Sequence, residues 1–141
     1  AAGALGEGLP QSDLYLSPQH RVLLNGAGVE ARFGAAEVLC AATRLRGWPG
    51  IERVDAPAGV RYVHLLFARH ELVFAAGAVS ESLYLGEEAE ALVGDDLKNA
   101  PEVVRSARGM APARPIIEGG REIGAMIDEG GRELQRACLL A

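Results

Sequence analysis

Ser17 and His20 set a hydroxyl and an imidazole on either side of Pro18-Gln19, between the apolar runs Leu14-Tyr15-Leu16 and Val22-Leu23-Leu24. Imidazole is the side chain whose ordinary pKa lies nearest neutrality, so His20, His64 and His70, the chain's 3 histidines, are its natural proton-transfer groups. Their settings differ. His20 follows a strand pattern interrupted by proline, His64 lies inside Tyr62-Val63-His64-Leu65-Leu66-Phe67, and His70 stands between Arg69 and Glu71. Taken alone, His64 reads as a core histidine and His70 as a solvated loop residue. A hydrolytic zinc site would use all three as ligands and keep a fourth position open, but no pair has His-x-x-x-His spacing. Attack by a Ser17 nucleophile, with His20 as its base, lacks a Gly-x-Ser-x-Gly elbow and would set the nucleophile before a proline.

Neither cysteine offers redox or zinc chemistry by spacing, because Cys40 and Cys138 are far apart and no Cys-x-x-Cys occurs. Cys40, within Val38-Leu39-Cys40-Ala41-Ala42, reads as a small buried thiol.

The elements that must position the histidines are short. Residues 1–12 are rich in Gly and Ala and form a lead-in. Residues 14–24 predict a strand that bulges at Pro18, with Leu14, Leu16 and Val22 facing a core and His20 held in a pocket. Asn25-Gly26 predicts a hairpin turn into a return strand in which Val29, Ala31 and Phe33 alternate with polar residues. Val38, Leu39, Ala42 and Leu45 have the spacing of a short helix over residues 35–45, closed by Gly47. Residues 51–54 predict a short strand, and residues 61–67 a mostly buried one with Tyr62, His64 and Leu66 on one face. Residues 71–74 and the segment after the Gly77 turn continue the β pattern to Leu83-Tyr84-Leu85.

Beyond Gly86 the pattern becomes helical, over residues 87–93 and 101–107. Ile116-Ile117-Glu118-Gly119-Gly120-Arg121-Glu122-Ile123 is then echoed by Ile127-Asp128-Glu129-Gly130-Gly131-Arg132-Glu133-Leu134. An 11-residue period keeps equivalent side chains on one helical face. Paired glycines weaken a helix interior, so this tail reads as a weak amphipathic appendage.

With 141 residues the chain can bury the core of one domain without disulfides. A net charge of −5, with scattered Arg and almost no Lys, argues against a nucleic-acid or anionic-membrane partner. No apolar run approaches the roughly 20 residues that cross a bilayer. The sequence opens on Ala1 rather than Met and lacks a basic, apolar leader, which reads as a piece of a longer polypeptide.

Two stretches carry a specific resemblance. Ala2-Gly3-Ala4-Leu5-Gly6 through Asp13-Leu14-Tyr15-Leu16-Ser17-Pro18-Gln19-His20-Arg21-Val22-Leu23-Leu24 resembles the bacterial branch of the Hedgehog/intein (Hint) domain family. So does Tyr62-Val63-His64-Leu65-Leu66-Phe67-Ala68-Arg69-His70-Glu71-Leu72-Val73-Phe74, followed by Gly77 and Glu81-Ser82. The resemblance spans residues 1–86 and keeps the family's motif order. It implies a mainly β fold, a partial Hint-type β horseshoe forming a Hint-like domain at 1–86, to which the helical pattern adds a short C-terminal helical tail, the extension at 87–141.

The resemblance also implies a function. In the family, a Cys or Ser at the domain's first position attacks the preceding peptide bond, giving a thioester or ester that is later resolved. Ser17 and His20 match a Thr-x-x-His element whose histidine helps to protonate the departing nitrogen. His64 stands where inteins often carry Asp in a Tyr-Asp-Leu-like strand, and His70 stands where a His-Asn-Phe-like segment begins. The implied site is therefore His20, His64, Ser17 and His70, with no cofactor or metal, and the implied substrate is the chain's own upstream segment.

Two departures qualify this. The family's nucleophile precedes the Ser-x-x-His element by several dozen residues, so this polypeptide is expected to be inert alone. The terminal His-Asn that supports splicing is absent near Gly77, where Val79-Ser80-Glu81-Ser82 stands, which leaves N-terminal cleavage as the expected reaction. The rival readings are a degenerate Hint scaffold or other β-rich structural or binding module of a secreted bacterial protein, and then zinc hydrolysis. The autoprocessing reading requires His20 and His64 to meet across a cleft, whereas the zinc reading requires all three histidines to converge.

Overall fold

The computed structural model describes residues 1–55, 63–85, 102, 107 and 109–129. Its centre is an antiparallel sheet of strands β1 (Arg21–Asn25), β2 (Glu37–Ala41), β3 (Leu72–Ala75) and β4 (Ala78–Glu81), in the order β2-β1-β4-β3. Helix α1 (Ala27–Phe33) joins β1 to β2, a 3-10 turn (Ala42–Leu45) follows β2, and helix α2 (Arg121–Asp128) closes the described chain. The fold is mainly β, as expected.

Alternation along β1 and β2 sends their side chains into two different cores. Val22 pairs with Cys40 and Leu24 with Val38, and these four point into the larger core with Leu5, Leu9, Val29, Leu45, Trp48, Ile123 and Met126. Leu23 pairs with Leu39 on the opposite face and packs with Val79, Leu72 and Ile116. Covering both faces makes 38–41 a continuous apolar run, which is why its spacing also fits a helix. The helix expected over 35–45 is in fact β2 followed by the 3-10 turn.

The strand expected at Val29, Ala31 and Phe33 is helix α1. Val29 is buried, Phe33 packs on the same core and Ala31 is exposed, so the i, i+4 repeat governs rather than the alternation. Gly26 (φ 118°) starts this helix and Gly34 ends it in the left-handed region (φ 68°), its N–H donating to Glu30 O. The Asn25-Gly26 signal therefore marks a helix start rather than a hairpin.

The hairpin lies between β3 and β4. Ala76 (φ 49°) and Gly77 (φ 79°) turn the chain with both central residues at positive φ, the geometry that matches strand twist. A Cβ on Gly77 would stand 2.9 Å from Gln11 Cδ, and Gln11 N–H donates to Ala76 O at 2.7 Å. The Gly-rich lead-in is thus packed onto this turn, and it contributes Leu5 and Leu9 to the core.

Three expected strands are not regular structure. Residues 14–20 carry no ladder, since Pro18 lacks an N–H and His20 N–H donates to Ser17 O in a turn (3.1 Å). Leu16 nevertheless packs against the core while Tyr15 is exposed. Residues 51–54 are irregular. Residues 63–67 are also irregular, with Val63, His64, Leu65 and Phe67 exposed. Arg61 and Tyr62, the helix expected at 87–93, almost all of that at 101–107, and residues 130–134 of the second tail copy lie outside the described residues.

The first tail copy, and the start of the second as far as Glu129, are built into the fold. Leu39 N–H donates to Pro115 O (2.8 Å) and Ile117 N–H to Leu39 O (2.9 Å), so residues 115–117 cover the outer edge of β2. Arg114 pairs with Glu37, Arg32 pairs with Glu129, and α2 buries Ile123 and Met126 in the larger core. The segment is amphipathic, but it is no appendage, because its apolar side is part of the sheet's own core. No helix among the described residues is long and apolar enough to cross a membrane.

Candidate functional site

His20 is held mainly by its backbone. Its N–H donates to Ser17 O, its carbonyl accepts from Ala42 N–H (2.9 Å), and Thr43 N–H donates to Pro18 O (2.9 Å). The next peptide N–H, that of Arg21, donates to Glu81 Oε1 at 2.9 Å. The turn made by Pro18 and the start of β1 therefore fix where the imidazole projects.

His64 reaches the same place from another segment. Leu83 N–H donates to Leu65 O at 2.7 Å, tying residues 63–67 to the chain beyond β4. The His20 and His64 rings then lie 6.1 Å apart between centroids, inclined by 29°. Both line a cleft of about 200 Å³ whose wall includes Ser80 and Glu81 of β4 and whose rim is apolar. A larger groove of about 480 Å³, between the N-terminal lead-in and residues 50–55, contains none of the histidines and offers no comparable acid/base pair.

Ser17 and His70 do not line the cleft. Ser17 meets His20 through its carbonyl oxygen. His70, expected to be solvated, is buried with a side-chain exposure of 0%. Its Nδ1 accepts from Ala113 N–H (3.0 Å), its Nε2 faces Glu81 Oε2 at 3.2 Å, and its ring lies 4.9 Å from that of Tyr84. Adjacent backbone fixes it there, since Glu71 N–H donates to Ser82 Oγ and Ser82 N–H to Glu71 O.

Glu81 and Arg21 are the members that sequence reasoning missed. The Glu81 carboxylate is buried at the end of β4 and takes Arg21 Nη1 at 3.3 and 3.2 Å in addition to the Arg21 peptide N–H. One Arg and one Glu, 60 positions apart, give no pairing signal in a single sequence.

The electrostatics follow from this packing. Burial lowers the His20 pKa below its usual 6.5; Glu81 opposes this, and His64 and Arg21 add to it. Burial pushes the Glu81 carboxyl up, but contacts with His70 and Arg21 outweigh it and hold the group below its usual 4.5. Burial also pushes the Cys40 thiol up to about 12, so this fully buried cysteine is no nucleophile at neutral pH.

Both site shifts make acid destabilising. Folded His20 binds its proton more weakly than the unfolded chain does, so stability complete above pH 6.5 declines as pH falls below it. The Glu81 contribution is present above pH 4.5 and is lost as pH falls through its lower folded value. The urea midpoint should therefore drop in two stages from neutral pH downward, and His20→Gln should remove the first stage alone. A wild-type midpoint that stays level on either side of pH 6.5 would contradict this assignment.

Among the described residues, no group of three or more His, Cys, Asp or Glu is placed to hold a metal ion. The convergence that a zinc reading requires is not found, because His70 is turned into the interior toward Glu81.

These features define a small, mainly β domain that faces two histidines across a cleft, one fixed by a proline turn and one by an irregular segment. The chain belongs to the Hint domain family, whose sequence model matches residues 1–87 and so includes all four strands, His20, His64, His70 and Glu81. Membership of that family generally implies autoprocessing. No curated protein and no solved structure matches the chain.

Proposed function

We propose that this chain carries the acid/base part of an autoprocessing Hint site that cleaves its own polypeptide through an N-to-S or N-to-O acyl shift. The observation that carries this reading is the 6.1 Å approach of His20 and His64 across the cleft. The nucleophile of such a shift is a Cys or Ser placed ahead of the Ser17-x-x-His20 element. Its thiol or hydroxyl attacks the carbonyl carbon of the preceding peptide bond, its proton passes to an imidazole, and the C–N bond breaks as the amide nitrogen takes a proton. The product is a thioester or ester with a free amine, which water then hydrolyses.

His20 fits the proton carrier. Its lowered pKa leaves the ring mostly neutral at neutral pH, the state that accepts the nucleophile's proton before giving one to the departing nitrogen. His64 assists from the opposite wall, and Ser17 supports the turn that presents His20.

The test is a precursor joining the natural upstream coding sequence to this chain. Cleavage near the upstream Cys or Ser, accelerated by hydroxylamine, is expected, whereas residues 1–141 alone should release no fragment. A folded precursor that stays intact and forms no hydroxylamine-sensitive bond would refute the reading. It would favour the structural or binding alternative, for which Val63, Leu65 and Phe74, all more than half exposed beside the cleft, provide an apolar surface.

A further inference from the structure

Glu81 lies where geometry gives it control over His20 without contact with a reacting bond. Its Oε1 accepts from the N–H of Arg21, the amide of the peptide plane that includes the His20 carbonyl, so the carboxylate grips the backbone on which the imidazole is mounted. The same carboxylate forms part of the cleft wall. Its second oxygen meets Arg21 Nη1 and His70 Nε2, both at 3.2 Å.

His70 is the rear support of this arrangement. A ring nitrogen that accepts a hydrogen bond carries no proton, so the Ala113 N–H on Nδ1 assigns the proton of the neutral ring to Nε2, facing Glu81. The approach to Oε2 is short but off the line of an ideal hydrogen bond, and Nε2 has no other partner among the described residues. A fully buried ring aimed at a carboxylate, and absent from the cleft lining, is not placed to exchange protons with a peptide in the cleft.

We propose that Glu81 is the positioning residue of the His20 site, and that His70 with the Ala113 amide, outside the family match, holds it in place. The connection runs from Ala113 N–H through His70 to Glu81 and on to the Arg21 amide beside His20. The charges facing His20 are Glu81 from β4, Arg21 from β1 and His64 from residues 63–67, while Glu81 itself faces Arg21 and His70. Glu81 is the one anion in that set, and it opposes the loss of proton affinity that burial imposes on His20. The cleavage arm of the test rests on the autoprocessing reading; the titration arm does not.

The titration arm uses the chain as it stands, with imidazole NMR across the pH range. Glu81→Gln retains an acceptor for the Arg21 amide and removes the charge. It should move the His20 midpoint to lower pH by about one unit while the amide spectrum stays folded. His70→Gln can accept from Ala113 and donate to Glu81, and should leave the His20 midpoint and Arg21 amide protection near wild type. His70→Leu removes both contacts and should weaken Arg21 amide protection at least tenfold.

An unmoved His20 midpoint in folded Glu81→Gln would overturn the proposal. So would Gln and Leu behaving alike at position 70, a comparison that decides the matter even if Glu81→Gln fails to fold. In the cleaving precursor, Glu81→Gln should lower the rate about tenfold and shift its pH profile with the His20 midpoint. If the precursor never cleaves, the autoprocessing reading fails, yet the titration still decides whether Glu81 governs His20.

Discussion

In a precursor that cleaves itself, His20→Ala should slow formation of the thioester or ester by about 10²- to 10⁴-fold, the range expected for losing a positioned acid/base group. That corresponds to about 3–5 kcal/mol of barrier. The loss arises because an amide nitrogen leaves poorly without a proton, and His20 is the cleft imidazole whose backbone is fixed by Ser17, Ala42 and Glu81. Truncating a half-buried ring leaves those backbone contacts in place, so circular dichroism and the urea midpoint at neutral pH should change little. His64→Ala should cost less, because His64 is exposed and its segment is tied to the chain beyond β4 by the Leu65–Leu83 backbone bond. Single-turnover cleavage, followed by gel or mass spectrometry over a pH series, measures both variants. Wild-type rates for His20→Ala, with His64→Ala inactive, would reverse the roles assigned to the two rings.

How much of this was legible in the sequence differs from one element to the next. Pro18, the histidine spacing and the apolar flanks pointed to His20 held in a pocket, and the structure puts His20 on a cleft with His64, although no strand precedes the turn. What spacing could not supply was the environment of each histidine. Residues 63–67 are apolar enough for a buried strand, yet among the described residues they are tied by the one backbone bond from Leu83 N–H to Leu65 O, and His64 is exposed. His70 stands between two charged residues and is nevertheless buried, because the β3–β4 hairpin folds Glu81 and Tyr84 back beside it and Ala113 arrives from 43 residues away. Local sequence reports periodicity, whereas burial and charge pairing depend on which segments meet.

The two exchanged elements show the same limit. In residues 27–33, an alternating and a helical pattern both fit, and only the exposure of Ala31 separates them. In residues 38–41 successive residues serve different cores, so this part of the strand is apolar throughout and loses its period of two. The hairpin at Ala76-Gly77 was legible at Gly77 because the required positive φ leaves a residue signature.

Ile123→Ala should destabilise the chain by about 2–5 kcal/mol, the cost of deleting a large aliphatic side chain from a packed interior. Ile123 is 0% exposed and shares the larger core with Leu24, Val38 and Trp48. It nevertheless lies well beyond residue 87, where the family match ends. A loosely attached tail would tolerate the change within about 0.5 kcal/mol, as exposed positions do, and the neighbouring exposed position Glu122→Ala provides that comparison. The measurement is the urea midpoint of both variants, read by Trp48 fluorescence, since the indole is buried in the same core and donates Nε1–H to Ala4 O. Equal midpoints for the two variants would mean that α2 does not stabilise the sheet. A large loss for Ile123→Ala alone would mean that the fold holding His20 and Glu81 requires residues that the family match does not include.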